Sequence, residues 1–304
     1  MEFYYWAYGL KVKSEICFPE LFPFEPSNDF DVSIRLGKVP IHPNENAENV
    51  NHRVFIDNVA FKLIIPGIAS YYANRGAVII IQKFEDSNED EIRLFCLSNV
   101  FAAILHQRNI IPLHAASIKY NNQLVLFFGA SGAGKSTLLA SLIAKGYEVF
   151  SDDVSVPFLD EANTVFMHSS YPMMKFWKDG ISGLLNGSKP DIQLRPDVDK
   201  YGFFFHDKFD CLALKPLLVF FIDKVEDKRE VTIDEIKGVE LFQKLTSNVY
   251  RGEFLGGYDL RAHHFSLLTT LANQIRGYVI KRPDAVNTVN LISEKVEKII
   301  QSNC

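Results

Sequence analysis

The chain predicts a mixed α/β fold: a strand–loop–helix–strand unit of phosphate-binding type, preceded by a β-rich lobe. Three observations carry this reading. Residues Gly129-Ala130-Ser131-Gly132-Ala133-Gly134-Lys135-Ser136 form a complete G-x-x-x-x-G-K-S loop. The apolar run Leu124–Phe128 stands before it, and the good helix former Thr137–Lys145 follows, closed by Gly146. Ahead of this unit, short alternating apolar segments recur between turn residues, as half-buried strands require.

The first 82 residues read as β-rich. Val32–Leu36 and Val54–Ile56 alternate, Asn58 marks a turn, and Ala60–Ile65 runs to Pro66-Gly67. Gly76 is a turn residue before the apolar strand Ala77–Gln82. Residues 83–90 form an acidic polar break. A helix apolar on most faces follows, from Glu91 to about Arg108, and is expected to be buried and to join the lobes. The division expected is a β-rich lobe over 1–90 and a catalytic domain over 91–304. No catalytic constellation lies in the first lobe, so packing and substrate recognition both stay open for it.

The loop chemistry depends on its setting. Glycines let consecutive backbone N–H groups face one anionic centre, and the new helix adds the positive end of its dipole. Lys135 can reach β- and γ-phosphates, and the Ser136 hydroxyl can ligate Mg²⁺. Residues 129–137, with Thr137 in the first helical turn, are the candidate ATP site. The chain then returns to an apolar stretch, Tyr147–Phe150, ending in Ser151-Asp152-Asp153. The two strands of this unit are expected to be parallel neighbours, with loop and acidic pair on one rim. One carboxylate can hold the metal while the other accepts a hydroxyl proton. Asp also caps ordinary loops, and only the neighbouring phosphate loop lifts this pair above that reading. Upstream, Ile111–Ile118 reads as a strand that turns at Asn121-Asn122 into the loop strand, with His114 on it. A lone strand histidine is usually a satisfied structural residue, and spacing alone does not select it.

After the acidic pair, 157–165 reads as a strand pair around a polar turn, and Asp179–Pro190 as a Gly/Ser-rich segment over the site. Leu217–Ile222 is a buried strand, Val239–Asn248 and Ala262–Ile275 are helices, and Arg251–Tyr258 is a flexible stretch. Val286, Val289, Ile292, Val296 and Ile299 recur at helical spacing, with Asp284 as the expected cap. A cation beside the transferring phosphoryl group would come from Lys135 together with Lys175, Arg195, Lys200, Arg251 or Arg261, with Arg195 the first candidate and Lys175 the second.

Composition narrows the classes. The 304 residues carry 32 basic and 37 acidic side chains, net −5, with no dense basic stripe, which disfavours nucleic-acid binding. The four cysteines, Cys17, Cys96, Cys211 and Cys304, are scattered, with no C-x-x-C to signal zinc or a redox dithiol. Free thiols, no basic signal segment and no apolar run of membrane length point to a cytoplasmic protein.

His114, the 129–136 loop and Asp152-Asp153 together resemble the C-terminal catalytic domain of the HPr serine kinase/phosphorylase family. The spacings, 21 residues from His114 to Lys135 and 18 from Lys135 to Asp153, look the same as the family's. The resemblance implies a phosphoenolpyruvate-carboxykinase-like nucleotide-binding fold, Asp153 as proton acceptor, Lys135 as the phosphate-binding lysine, His114 supporting the site, and homo-oligomers among its assemblies. The family's Gly-rich I-R-G-L-G-I-I-N signature is missing, and Tyr171–Trp177 stands in that region. That argues against phosphorylase activity and against HPr as acceptor. The whole chain looks more like HPr-kinase-like proteins of peptide natural-product clusters, including lasso-peptide kinases. The matching stretches are Tyr8-Gly9-Leu10, Ser14-Glu15, Pro19-Glu20-Leu21, Asp31–Gly37, His106-Gln107-Arg108, Pro112-Leu113-His114, Leu194-Arg195-Pro196 and Lys281-Arg282-Pro283. The expected activity is therefore an ATP- and Mg²⁺-dependent kinase acting on a serine of a peptide or small protein. The alternatives are a small-metabolite hydroxyl kinase and a nucleotide-regulated binding protein. No N-K-x-D guanine motif and no L-S-G-G-Q signature occur, which disfavours a GTPase switch and a transport ATPase.

Overall fold

The computed structural model describes residues 1–45, 53–178, 189–196, 198–226, 230–257, 261–284 and 286–303. Most of the Gly/Ser-rich segment 179–190, Tyr258, the Arg261 side chain and Cys304 lie outside that description. The fold is mixed α/β, and the described residues form two large sheets and two small ones.

The N-terminal sheet has eight strands: β1 Phe3–Ala7, β2 Leu10–Ser14, β3 Phe22–Pro23, β4 Val32–Leu36, β5 Val54–Ile56, β6 Ala60–Ile65, β7 Ala69–Asn74 and β8 Val78–Lys83. They lie in the order β3-β1-β2-β4-β8-β7-β6-β5. The helix expected after the acidic break covers this sheet, so its buried side chains share one core with Tyr8, Phe61 and Tyr71. It starts at Asn88, whose side chain caps the Asp90 N–H, and runs Glu89–Phe95. The helix is not continuously α-helical. Cys96–Val100 is a π-helical turn, with the Phe101 N–H reaching back to the Cys96 carbonyl, before α-helix resumes over Phe101–Gln107. Such widened turns persist where other groups take the displaced carbonyls. Here the Tyr8 hydroxyl donates to Leu97 O at 2.6 Å, and the Ser98 hydroxyl to Leu94 O at 2.7 Å.

The second large sheet comprises β9 Ala115–Tyr120, β10 Gln123–Phe128, β11 Glu148–Ser151, β17 Lys215–Val225, β18 Thr232–Ile236 and β19 Arg276–Pro283. Its order is β11-β9-β10-β17-β19-β18. This corrects one expectation. The strands before and after the phosphate-type loop are not neighbours, because β9 lies between them, antiparallel to both. They still run parallel to each other, so the loop and the acidic pair leave the same rim. The β9–β10 hairpin turns at Asn121 and Asn122 as expected, with φ of 48° and 59°, left-handed positions that Asn tolerates.

Alternation along β10 sets the layering. Val125 and Phe127 pack with Leu138, Leu142, Ile292 and Val296 on one face. Leu124, Leu126 and Phe128 pack with Leu241, Leu245, Leu267 and Leu271 on the other. The helices Lys135–Ala144 and Val289–Ser302 therefore cover one face, and Gly238–Thr246 and Arg261–Gln274 the other. The last helix starts later than its sequence pattern implies. Thr288 is its N-terminal boundary, and Asp284 instead pairs with Lys224 at 2.7 Å. The stretch read as flexible, 251–258, is a 3-10 turn over Gly252–Gly257.

Between the sheets lie the hairpin β12 Ser155–Leu159 with β13 Val165–Ser169, and the three strands β14 Met173–Trp177, β15 Ile192–Arg195 and β16 Val198–Phe204. Among the described residues, no helix is long and apolar enough to cross a membrane.

The junction between helix 101–107 and the 3-10 turn makes stability depend on pH. His106 is fully buried; its Nε2 lies 3.1 Å from Tyr250 O, and burial pushes its pKa down to about 4. Unfolded histidine takes up its proton near 6.5, so between these values the unfolded chain binds more protons. This contribution is complete above about pH 6.5 and is lost as pH falls towards 4, by ~3 kcal/mol in full. Urea midpoints at pH 7.5 and 4.5 should show the loss, and His106→Asn should flatten it.

Candidate active site

The loop after β10 is shaped by backbone geometry that only glycine accepts. Gly129 has φ of 153°, and a Cβ there would lie 2.9 Å from Ile222 O and 3.0 Å from the Ala133 methyl. Gly134, at φ 109°, is the N-terminal boundary of helix Lys135–Ala144 and offers no side-chain cap. The first N–H groups of that helix thus remain open to an anion. The Lys135 ammonium folds back onto Gly129 O at 2.5 Å, and burial lowers its pKa. It is held within the loop.

At the end of β11 the chain makes a sharp turn. The Val154 N–H donates to Asp152 O at 2.9 Å, and Asp153 between them takes φ of 73°. A three-residue turn with a positive central φ is rare and strained, and such strain clusters at functional sites. It separates the two carboxylates. Asp152 is buried, and its Oδ2 accepts the Lys175 backbone N–H at 2.7 Å. Asp153 Oδ2 accepts from the Lys175 ammonium at 2.8 Å, and its Oδ1 lies 3.3 Å from His114 Nε2.

His114 stands just ahead of β9, not within it. Its N–H donates to Asn248 O at 2.8 Å, and the ring meets Tyr250 edge-on. Lys175 comes from β14, buried beneath Tyr171, whose ring lies 5.6 Å from the ammonium.

The electrostatics follow from this packing. Burial raises the Asp152 pKa, and the neighbouring Asp153 charge raises it further. Burial would also raise Asp153, but the Lys175 ammonium and the His114 ring outweigh it and hold that carboxyl well below its usual range. Asp153 in turn holds Lys175 protonated against its burial. One carboxylate is held ionised between Lys175 and His114; burial and the neighbouring charge disfavour the anionic form of the other.

One cavity of about 960 Å³ unites these groups. Residues 130–137, Asp152, Asp153, His114 and Lys175 all line it. The sequence's six candidate cations separate here. Lys175 touches Asp153, whereas Arg195 lines the wall with its Nε 3.5 Å from Glu91. Lys200 lies over the Trp177 ring at 5.6 Å with its pKa lowered by burial, and Arg251 pairs with Glu253 at 3.3 Å. Sequence reasoning gave no site role to Arg282. From the end of β19 it donates Nε–H to Ala133 O at 3.0 Å, bracing the loop beside Gly134. Only its place in the Lys281-Arg282-Pro283 stretch marked it beforehand.

No family model matches the chain, and no curated protein matches it. Among solved structures, the HPr(Ser) kinase/phosphatase from Coxiella burnetii aligns with 63% of this chain and 91% of its own, at 13% identity and a TM-score of 0.32. A likeness that slight carries no argument about activity, which rests on the cavity itself.

Proposed function

We propose that the protein is a kinase that moves the γ-phosphate of ATP to a serine hydroxyl of a peptide or small protein. The observation that carries this reading is the shared cavity: a glycine-shaped anion loop at a helix N-terminus and an ionised, doubly anchored carboxylate face one space.

In this reading the loop N–H groups and Lys135 bind the β- and γ-phosphates, and Arg282 keeps the loop in shape through Ala133 O. Asp153 aligns the acceptor hydroxyl and takes its proton. A carboxylate of depressed pKa is a weak base, but phosphoryl transfer passes through a loose transition state that needs orientation more than early deprotonation. His114 and Lys175 fix the carboxylate, and the Lys175 ammonium adds positive charge beside the developing negative charge.

Ser136 and Asp152 fit Mg²⁺. Both line the cavity, and Asp152 is a buried carboxyl group whose ionised form a cation beside it would favour. Among the described residues no group of three His, Cys, Asp or Glu could hold a metal by itself, which suits an ion that draws its other ligands from phosphate and water. When bound, Mg²⁺ would supply charge neutralisation between the phosphate oxygens. Phosphate transfer should stop in excess EDTA and return with added Mg²⁺ or Mn²⁺; undiminished turnover in EDTA would remove the metal from the account.

His114→Ala removes one of the two groups on Asp153. A hydrogen bond to a charged group is worth ~1.5–3 kcal/mol, so kcat should fall about tenfold or more. ATP affinity should hardly change, because the ring lies beside Asp153 and not in the phosphate loop. An unchanged kcat would make the residue purely structural. The reading as a whole is tested by mass spectrometry of serine peptides after incubation with Mg-ATP.

A further inference from the structure

The cavity has a wall that the phosphate chemistry does not use. It is formed by the helix over the N-terminal sheet, where Leu94, Phe95, Ser98 and Asn99 line the same space as Asp153. Asn99 sits in the π-helical turn Cys96–Val100 with only 9% of its surface exposed. Its Oδ1 is buried without a partner, and among the described residues its side-chain amide makes no hydrogen bond. A buried amide oxygen left without a donor is a standing cost in the free protein, which a ligand that donates to it removes.

The turn is built, not loose. Tyr8 holds it through Leu97 O at 2.6 Å, stacks on Phe101 at 5.2 Å, and meets Tyr171 edge-on at 5.6 Å. Tyr171 in turn covers Lys175, the partner of Asp153. A short train of aromatic rings thus fixes the wall relative to the proton-accepting carboxylate. π-Helical turns in α-helices are frequent at functional sites.

We infer that Asn99 recognises the phosphate acceptor, and that the acceptor carries a peptide group beside its hydroxyl. A primary amide both donates and accepts, and so matches the C=O and N–H of a backbone amide as a pair. The inference rests on the kinase reading and names the residue by which that site would hold its peptide acceptor. The helix over the N-terminal sheet then acts as the acceptor wall, while the second sheet holds the nucleotide.

The test uses the full chain, Mg-ATP and a degenerate serine-centred peptide library as probe, with Mg-ADP calorimetry and thermal unfolding alongside. Asn99→Leu keeps the volume and removes the amide. It should bind Mg-ADP as the parent does and unfold no earlier than the parent, because it removes a buried unpaired oxygen, yet label peptides at least tenfold less efficiently, with the loss in peptide KM. Asn99→Asp keeps an oxygen in place and should recover part of that loss if hydrogen bonding, not packing, is responsible. Equal peptide labelling by parent and Asn99→Leu would overturn the inference. So would a parent that binds Mg-ADP but labels no peptide, leaving nucleotide binding intact. A parent that binds no nucleotide would overturn the proposed function first, and this inference with it.

Discussion

Asp153→Asn should cost turnover about 10²–10⁴-fold, the range typical of a positioned general base. Asn tolerates the left-handed backbone at φ 73°, so the turn should survive. The fold will still register the change. Lys175 is buried, and removing its carboxylate leaves an uncompensated ammonium, a loss of ~3–5 kcal/mol in comparable buried pairs. The double variant Asp153→Asn/Lys175→Met removes both charges and should regain most of that stability while staying inactive. Denaturation and kinetics on the two variants separate the roles. If the single variant kept full activity, Asp153 would not be the proton acceptor. If the double variant were no more stable than the single, the ion pair would not hold this corner together.

Lys135→Ala should abolish measurable Mg-ATP binding, with the fold retained. The side chain is buried in the loop, and its ammonium bonds the loop's own Gly129 carbonyl at 2.5 Å. Removing it takes away the one cation inside the loop and leaves Gly129 O without that donor. Calorimetry with Mg-ATP, beside circular dichroism, measures both consequences. Undiminished affinity would show that the nucleotide sits elsewhere in the cavity.

Much of this site is legible in the amino-acid order because its chemistry is local. The loop, its flanking strand and helix, and the acidic pair lie within residues 124–153, and their spacing alone places them on one rim. The parts that escaped depend on pairings distant in sequence. Nothing local shows that β9 separates β10 from β11, because both pairings are made by a strand that precedes the loop. Lys175 stood among six candidate cations because its position is set by β14 pairing with β16, where Trp177 lies opposite Lys200. Arg282 reaches the loop only because β19 runs parallel to β17, which runs parallel to β10.

Two backbone features were also hidden. The strained turn at Asp153 uses a residue type common in ordinary loops, and the π-helical turn at 96–100, Cys-Leu-Ser-Asn-Val, carries no local signal that sets it apart from α-helix. Tertiary contacts create both: the Lys175 and His114 bonds on one side, and the Tyr8 bond to Leu97 O on the other. His114 shows the same limit from another direction. Its spacing from the loop matched a family pattern, but only the 3.3 Å approach of its ring to Asp153 gives it a physical task.

In the proposed kinase, one cavity holds both the transferring phosphate and the group that receives the acceptor's proton. Intact-mass spectrometry of serine peptides incubated with the protein and Mg-ATP tests it most directly. The expected result is a mass gain of one phosphate on serine, dependent on the protein, on Mg²⁺ and on Asp153. ATP that binds but is never transferred to any hydroxyl, or is hydrolysed equally well by Asp153→Asn, would contradict it.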